Sequence, residues 1–127
     1  MQIEVSIGEV VDKYTILVIK EQHITDPIKL ANVVREREYL ESVLGDLNEF
    51  KGNVGRLIDT NQALWNIEDQ IRIKESRKEF DAEFIDLARA VYVTNDVRAE
   101  IKREINLEQG SLFVEEKQYV EYKSNQL

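Results

Sequence analysis

The chain has 127 residues, with 25 acidic and 17 basic side chains for a net charge of −8, five glycines, one proline and no cysteine. Lacking cysteine, it cannot hold a disulfide scaffold, a thiolate metal site or a cysteine nucleophile; the acid surplus argues against general nucleic-acid binding, which needs a basic face. With 43% hydrophobic residues there is apolar material for one core, so the length implies a single domain, 1–127, of which 111–127 is a less regular C-terminal tail.

Few glycines and prolines among many charges favour long helices. Ser6-Ile7-Gly8-Glu9 has the form of a capping box, in which serine accepts an early backbone N–H and the glutamate reaches back. Ile7, Val10, Tyr14, Leu17 and Ile24 then follow 3-4 spacing, predicting a first helix to about residue 24. The β-branched run at 14–19 makes a strand the competing reading there. Asp26 and Pro27 suit the cap and first position of a second helix, with Leu30, Val33, Val34, Leu40, Leu44 and Leu47 carrying it to about Phe50. Gly52-Asn53 permits a reversal into a third helix, about 54–77, on Leu57, Ile58, Leu64, Trp65 and Ile71. Asp81 caps a fourth, on Phe84, Leu87, Val91, Ile101 and Ile105, which Gly110 ends. Ile3, Val5 and Ile7 alternate with polar residues, and Tyr119-Val120-Glu121-Tyr122 is rich in strand formers, so the two ends are read as a short two-stranded β ribbon. The expected fold is all-α, an antiparallel four-helix bundle with short connections.

Charge is uneven along this plan. The surplus lies mainly in residues 1–26 and 81–109, while 53–80 is neutral and holds a basic run, Arg72, Lys74, Arg77 and Lys78. No apolar stretch approaches a membrane span, and Met1-Gln2-Ile3-Glu4-Val5 lacks the basic and apolar regions of a signal peptide. The default setting is cytoplasmic, with no membrane partner.

Polar residues interrupt the predicted stripes in a pattern. Arg37 falls between Val33 and Leu40, Asn61 between Leu57 and Leu64, Glu68 between Leu64 and Ile71, and Asn95 with Arg98 between Val91 and Ile101. At 1.5 Å per residue, Arg37 and Glu68 both lie about 15 Å from the end of the bundle marked by Pro27 and Asp81. Arg37 is therefore expected to meet Glu68, and Arg98 to meet Asn61 or Glu68, in one layer through the middle. Such a layer either fixes helix register or lines a pocket where converging Arg, Asn and Glu bind a small anionic ligand. Trp65, Glu68, Asp69 and Arg72 share adjoining faces. Trp65 is read as a core anchor, with an Asp69–Arg72 salt bridge at its edge, or else as a stacking platform for a base or sugar.

Catalytic motifs are sparse. His23 is the single histidine, placed near a helix C-terminus where a cation is favoured, and no second histidine exists for a zinc site. No serine sits in a Gly-x-Ser-x-Gly elbow, and Gly52-Asn53-Val54-Gly55 lacks the lysine of a phosphate loop. Glu9/Asp12, Glu38/Glu41 and Glu83/Asp86 have the spacing that places two carboxylates on one helix face. All-helical nucleotide pyrophosphohydrolases hold Mg²⁺ with such pairs, but the fuller pattern of that family is not reproduced, and 25 acids make chance pairs common. No metal and no cofactor are expected.

Three segments carry a resemblance: 6–17 from Ser6 to Leu17, 64–72 from Leu64 to Arg72, and 94–106 from Thr94 to Asn106; Val114-Glu115-Glu116-Lys117 adds a fourth. They resemble the motifs of an uncharacterised family of small helical bacterial and bacteriophage proteins, a domain of unknown function, across nearly the whole chain. Tyr14 and Val18 depart from the family pattern, which has an aliphatic residue and an acid there. The resemblance implies one fold and a bacterial or phage setting, not a reaction. Its polar motif positions are Glu9, Asp12, Lys13, Lys20, Trp65, Glu68, Asp69, Arg72, Asn95, Asp96, Arg98 and Lys102.

The resulting expectation is an interaction or small-ligand-binding module that self-associates, as a dimer, with a small anionic ligand or a host protein as further partner. The candidate ligand-binding residues are Arg37, Trp65, Glu68, Asp69, Arg72, Asn95, Arg98 and Lys102. The rival class is a small enzyme acting on a phosphorylated or otherwise anionic metabolite.

Overall fold

The computed structural model describes residues 1–123. It is all helical: α1 (Ile7–His23), α2 (Pro27–Leu44), a 3₁₀ turn (Leu47–Phe50), α3 (Asn53–Ser76) and α4 (Ala82–Glu108). Three of the helices start where side-chain chemistry tells them to. Ser6 Oγ accepts from Glu9 N at 3.3 Å, Asp26 from Lys29 N at 3.0 Å, and Asp81 from Phe84 N at 2.9 Å, each satisfying an amide that has no partner inside its helix. The β-branched run in α1 is helical throughout; local strand preference yields to burial on two sides.

α1 is the central helix. It packs against α2, α3 and α4, while α3 and α4 form a long antiparallel hairpin and α2 lies on α1. Tyr14 and Leu17, on the expected stripe, are buried. A second stripe, Gly8, Asp12, Thr15 and Ile19, is buried as well and turns toward α3 and α4. Its small and polar members conceal it from a search for apolar periodicity. Gly8 is there because nothing larger fits: a Cβ on it would stand 2.5 Å from the Lys102 carbonyl oxygen and 2.9 Å from Asn106 Oδ1. The two helices thus cross nearly backbone to backbone, and the buried Asn106 Oδ1 accepts from Gly8 N at 2.6 Å. Ser111 Oγ accepts from Ile7 N at 3.0 Å, so the first-turn amides of α1 are capped by Ser6, Asn106 and Ser111 together.

The main apolar cluster sits at this end, where Val11, Phe50, Leu57, Ile101 and Ile105 pack with Ile7, Leu44, Leu47 and Val54 around them. Each such side chain stabilises by about 1.5–3 kcal/mol.

In its secondary structure the fold departs from the sequence expectations at the end of α2 and at the two chain ends. α2 stops at Leu44 instead of near Phe50, because Gly45 takes φ 71° and Asp46 Oδ1 then accepts from Asn48 N at 3.0 Å, opening the 3₁₀ turn. The β ribbon is absent: there is no strand among the described residues. The chain beyond α4 folds back along that helix, where Tyr122 Oη donates to Asp96 Oδ2 at 2.6 Å and Glu116 pairs with Arg103 at 2.7 Å. Ile7, the last residue of the supposed N-terminal strand, opens α1 instead and donates its N–H to Ser111, at the other end of this strap from 119–122. Residues 124–127 of the expected tail fall outside the described residues.

Candidate functional site

A buried carboxylate organises the middle of the bundle. Asp12 is 1% exposed. Its Oδ1 accepts from Asn61 Nδ2 at 2.9 Å and from Arg98 Nε at 2.9 Å, and Arg98 Nη2 closes a bidentate pair on Oδ2. Asn61 Nδ2 also reaches Thr15 Oγ1 at 2.9 Å, and that hydroxyl donates to the Asp12 carbonyl at 2.7 Å. Among the described residues no buried side-chain nitrogen or oxygen lacks a partner. The hydrogen bond to Asp12 raises the Arg98 pKa further, against the opposing effect of burial; the guanidinium is a permanent cation. A bidentate, fully satisfied pair is the geometry in which a buried ion pair holds.

A polar layer is present, but of the residues expected in it only Asn61 and Arg98 take part, and it is assembled around Asp12, which the stripes do not single out. Asn61 and Arg98 do not meet each other directly; both meet Asp12. The expected Arg37–Glu68 contact is not formed. Arg37 pairs with Glu21 of α1 at 2.5 Å and with Glu41 at 2.8 Å, because α2 packs on α1, away from α3. Glu68 pairs with Arg72 at 3.5 Å, replacing the expected Asp69–Arg72 bridge: four residues bring the side chains together along the helix better than three do here.

Beside this layer runs a groove of about 420 Å³ between α1, α3 and α4. Ile16, Ile19 and Leu64 give it apolar walls, and Asn61, Trp65, Glu68, Asp69, Arg72, Asn95 and Arg98 bring the rest. Six of the eight candidate residues thus line one cavity: Trp65, Glu68, Asp69 and Arg72 from three successive turns of α3, Asn95 and Arg98 from α4. Arg37 is remote from it. Lys102 lies on the other wall of α4, where its ammonium holds Glu9 at 2.8 Å and Glu115 at 3.3 Å. Trp65 is half-buried and stacks on His23, with ring centroids 4.7 Å apart and planes 19° apart. Gln62 Nε2 lies 3.4 Å from the His23 ring nitrogen. His23, expected as a surface residue, is exposed and also fixes the indole.

Lys102 faces a second cleft, of about 610 Å³, between α4 and the strap, with Tyr92, Tyr119, Val120 and Tyr122 among its lining residues. Asn95 and Arg98 border both spaces.

The carboxylate pairs at metal-ligand spacing are engaged elsewhere. Glu9 and Asp12 hold Lys102 and Arg98, Glu38 and Glu41 hold Arg37, and Glu83 holds Lys74. Among the described residues no three His, Asp or Glu side chains are grouped to hold a metal ion, and no helix is long and apolar enough to cross a membrane.

Asp12 and Asn106 are the residues that the stripes miss. The signal that finds Asp12 is its place, with Gly8, Thr15 and Ile19, on a second stripe at 4-3-4 spacing. In comparison with known proteins, residues 1–125 match the family described as Family of unknown function (DUF6165). No curated protein and no solved structure matches the chain.

Proposed function

Since the chain belongs to that family of unknown function, DUF6165, and membership supplies no activity, we propose from the site itself that it is a small-ligand-binding module whose site is the α1–α3–α4 groove. The observation that carries the reading is the convergence of Trp65, Glu68, Asp69, Arg72, Asn95 and Arg98 on one cavity, next to a buried network that fixes Arg98 and Asn61 in place. Such a cavity, apolar-walled with a few convergent polar groups, is the ordinary form of a small-molecule site.

Its charges narrow the ligand. Arg98 is neutralised by Asp12 and Arg72 faces Glu68. Asp69 has no ion-pair partner among the described residues, so the five ionised groups leave one negative charge in excess. A multiply charged anion needs free cations, whereas a hydroxyl-bearing ring, or a ligand carrying an amino group, suits an indole edge flanked by carboxylate, amide and guanidinium. We therefore favour a neutral or zwitterionic polar ligand over the phosphorylated one, and a binding role over an enzymatic one. The cytoplasmic, bacterial or phage setting expected from the sequence is kept with this reading.

The test is a melting-temperature panel of free sugars, amino sugars, amino acids, sugar phosphates and mononucleotides. A stabilising compound from the first three classes, lost in Asp69→Asn and Trp65→Leu variants, is the expected result. Stabilisation only by phosphorylated compounds, or by none, overturns it.

A further inference from the structure

The chain has one histidine and one tryptophan, and the fold lays one on the other. His23 is the last residue of α1. Its imidazole covers one face of the Trp65 indole, with centroids 4.7 Å and planes 19° apart, and Trp65 also walls the groove between α1, α3 and α4. Histidine is the side chain whose ordinary charge change falls between about pH 5 and 8. A group of that kind is therefore stacked on a wall of the candidate site.

The surroundings of His23 suit the uptake of a proton. Its polar and aromatic contacts are with uncharged groups of α3. Besides Trp65 there is Gln62, whose Nε2 lies 3.4 Å from the ring Nε2 and donates to Asn66 Oδ1 at 3.2 Å. With an amide N–H turned to it, the ring Nε2 accepts, and the neutral ring carries its proton on Nδ1. A proton added at Nε2 turns this acceptor into a donor. Gln62 then presents Oε1 to it, and Asn66 turns its own amide to donate to that oxygen. Both side chains have room to rotate, since Asn66 is exposed and Gln62 half-buried. The stack survives the change, because an imidazolium over an indole face gains a cation–π attraction and the carbonyl end of α1 favours a cation.

The charged groups around this stack are few. Of the carboxylates next to it in sequence, Glu21 is held by Arg37 of α2, and Asp26 caps α2 by accepting from Lys29 N. Lys20 stands one turn back along α1. On α3 the next charged groups are Glu68, Asp69 and Arg72, within about two turns of Trp65, and α4 brings Arg98, held by Asp12. These last five leave the groove one negative charge in excess, which an imidazolium cancels.

We propose that His23 is the positioning and pH-sensing residue of the groove: stacked on Trp65 it holds the indole as a wall, and on protonation it sets a positive charge beside the site. The groove then favours an ammonium-bearing ligand when His23 is neutral and loses that preference when it is charged. This consequence for binding rests on the ligand reading above; the stack and its charge do not.

Trp65 is the sole tryptophan, so its fluorescence reads the stack with no ligand present. Quenching by iodide, by caesium ions and by neutral acrylamide is measured on the full chain between about pH 8 and about pH 5.5. The expected result is a ratio of iodide to caesium quenching that rises at least about twofold as pH falls, the effect of one screened unit charge at about 5 Å. In His23→Ala the ratio loses this rise, and acrylamide quenching increases because an indole face is uncovered. In Gln62→Glu the midpoint of the rise moves to higher pH, because a carboxylate favours the imidazolium. Circular dichroism shows that both variants are folded. A ratio that does not change with pH in the unaltered chain, or that changes equally in His23→Ala, overturns the proposal. So does acrylamide quenching unchanged in His23→Ala, or a midpoint unmoved in Gln62→Glu. These outcomes stand or fall separately from the melting-temperature panel, which tests the ligand reading.

Discussion

At the scale of single residues the fold turns on Asp12. Burying a carboxylate costs several kcal/mol, which the bidentate Arg98 pair and the Asn61 amide offset only while all three are present. Asp12→Ala is expected to lower stability by about 3–5 kcal/mol, read from urea unfolding; Asp12→Leu with Arg98→Met, which removes both charges, recovers a large part of that loss. Equal losses in the single and double variants would show that the charges do not couple. Gly8→Ala is expected to cost about 1–3 kcal/mol, since its methyl group meets backbone at the Lys102 carbonyl and the helices must part. Asn61 and Arg98 were legible in the sequence because a polar side chain stands out on an apolar stripe. Asp12 was marked only by its carboxylate spacing with Glu9 and by the family motif, and not as a buried centre, because its own stripe is made of glycine, threonine and aspartate and reads as solvent-facing until Ile19.

At the scale of elements, the capped helix starts were legible, and the end of α2 was not, because the apolar spacing continues to Leu47 past the Gly45–Asp46 break. Ser6, Asp26 and Asp81 each cap a helix. Asp81 also holds Lys74 at 2.9 Å, and this hydrogen bond lowers its pKa below the usual 3.8. A depressed carboxylate stabilises above its unfolded pKa and loses that contribution as pH falls through the folded value. The α3–α4 turn is therefore expected to loosen as pH falls through the Asp81 titration, and Asp81→Ala, which also removes the α4 cap, abolishes that part of the acid sensitivity in a pH series of melts. The strap behaves in the opposite sense. Its Tyr122 phenol is pushed up from 10.0 to about 12, chiefly by its hydrogen bond to Asp96, so this fastening is complete below pH 10 and lost as pH rises through 12. A tyrosine absorbance titration is expected to show a late-titrating phenol that moves back toward 10 in Asp96→Asn; an unchanged titration would mean that Tyr122 is not fastened there. The strand formers at 119–122 suggested a ribbon, but only Tyr122 is drawn in, by its hydrogen bond to Asp96 and its edge contact with Tyr92 on α4, while Tyr119 and Val120 stay exposed.

At the scale of the whole molecule, four helices with short connections were legible from periodicity and from Pro27 and Gly52. Their arrangement was not, because depth along a bundle says nothing of which helices are neighbours. Placing Arg37 and Glu68 at one height was sound arithmetic, yet α2 packs on α1 and faces Glu21 instead. The same arrangement gives α1 two buried faces, leaves the outer side of α2 uncovered, and opens the groove where α3 and α4 meet α1. Six of the eight candidate residues reached that groove because those on α3 lie within three turns, and Asn95 and Arg98 lie on the helix that pairs with it. The central claim is that this groove is a ligand site, and amide and side-chain ¹H–¹⁵N correlation spectra test it most directly. On adding the stabilising compound from the melting panel, the predicted shifts fall on the Trp65 indole N–H, the Asn61 and Asn95 amide groups and the Arg98 Nε–H. Shifts confined to α2 or to the cleft under the strap, with these signals unmoved, would contradict it.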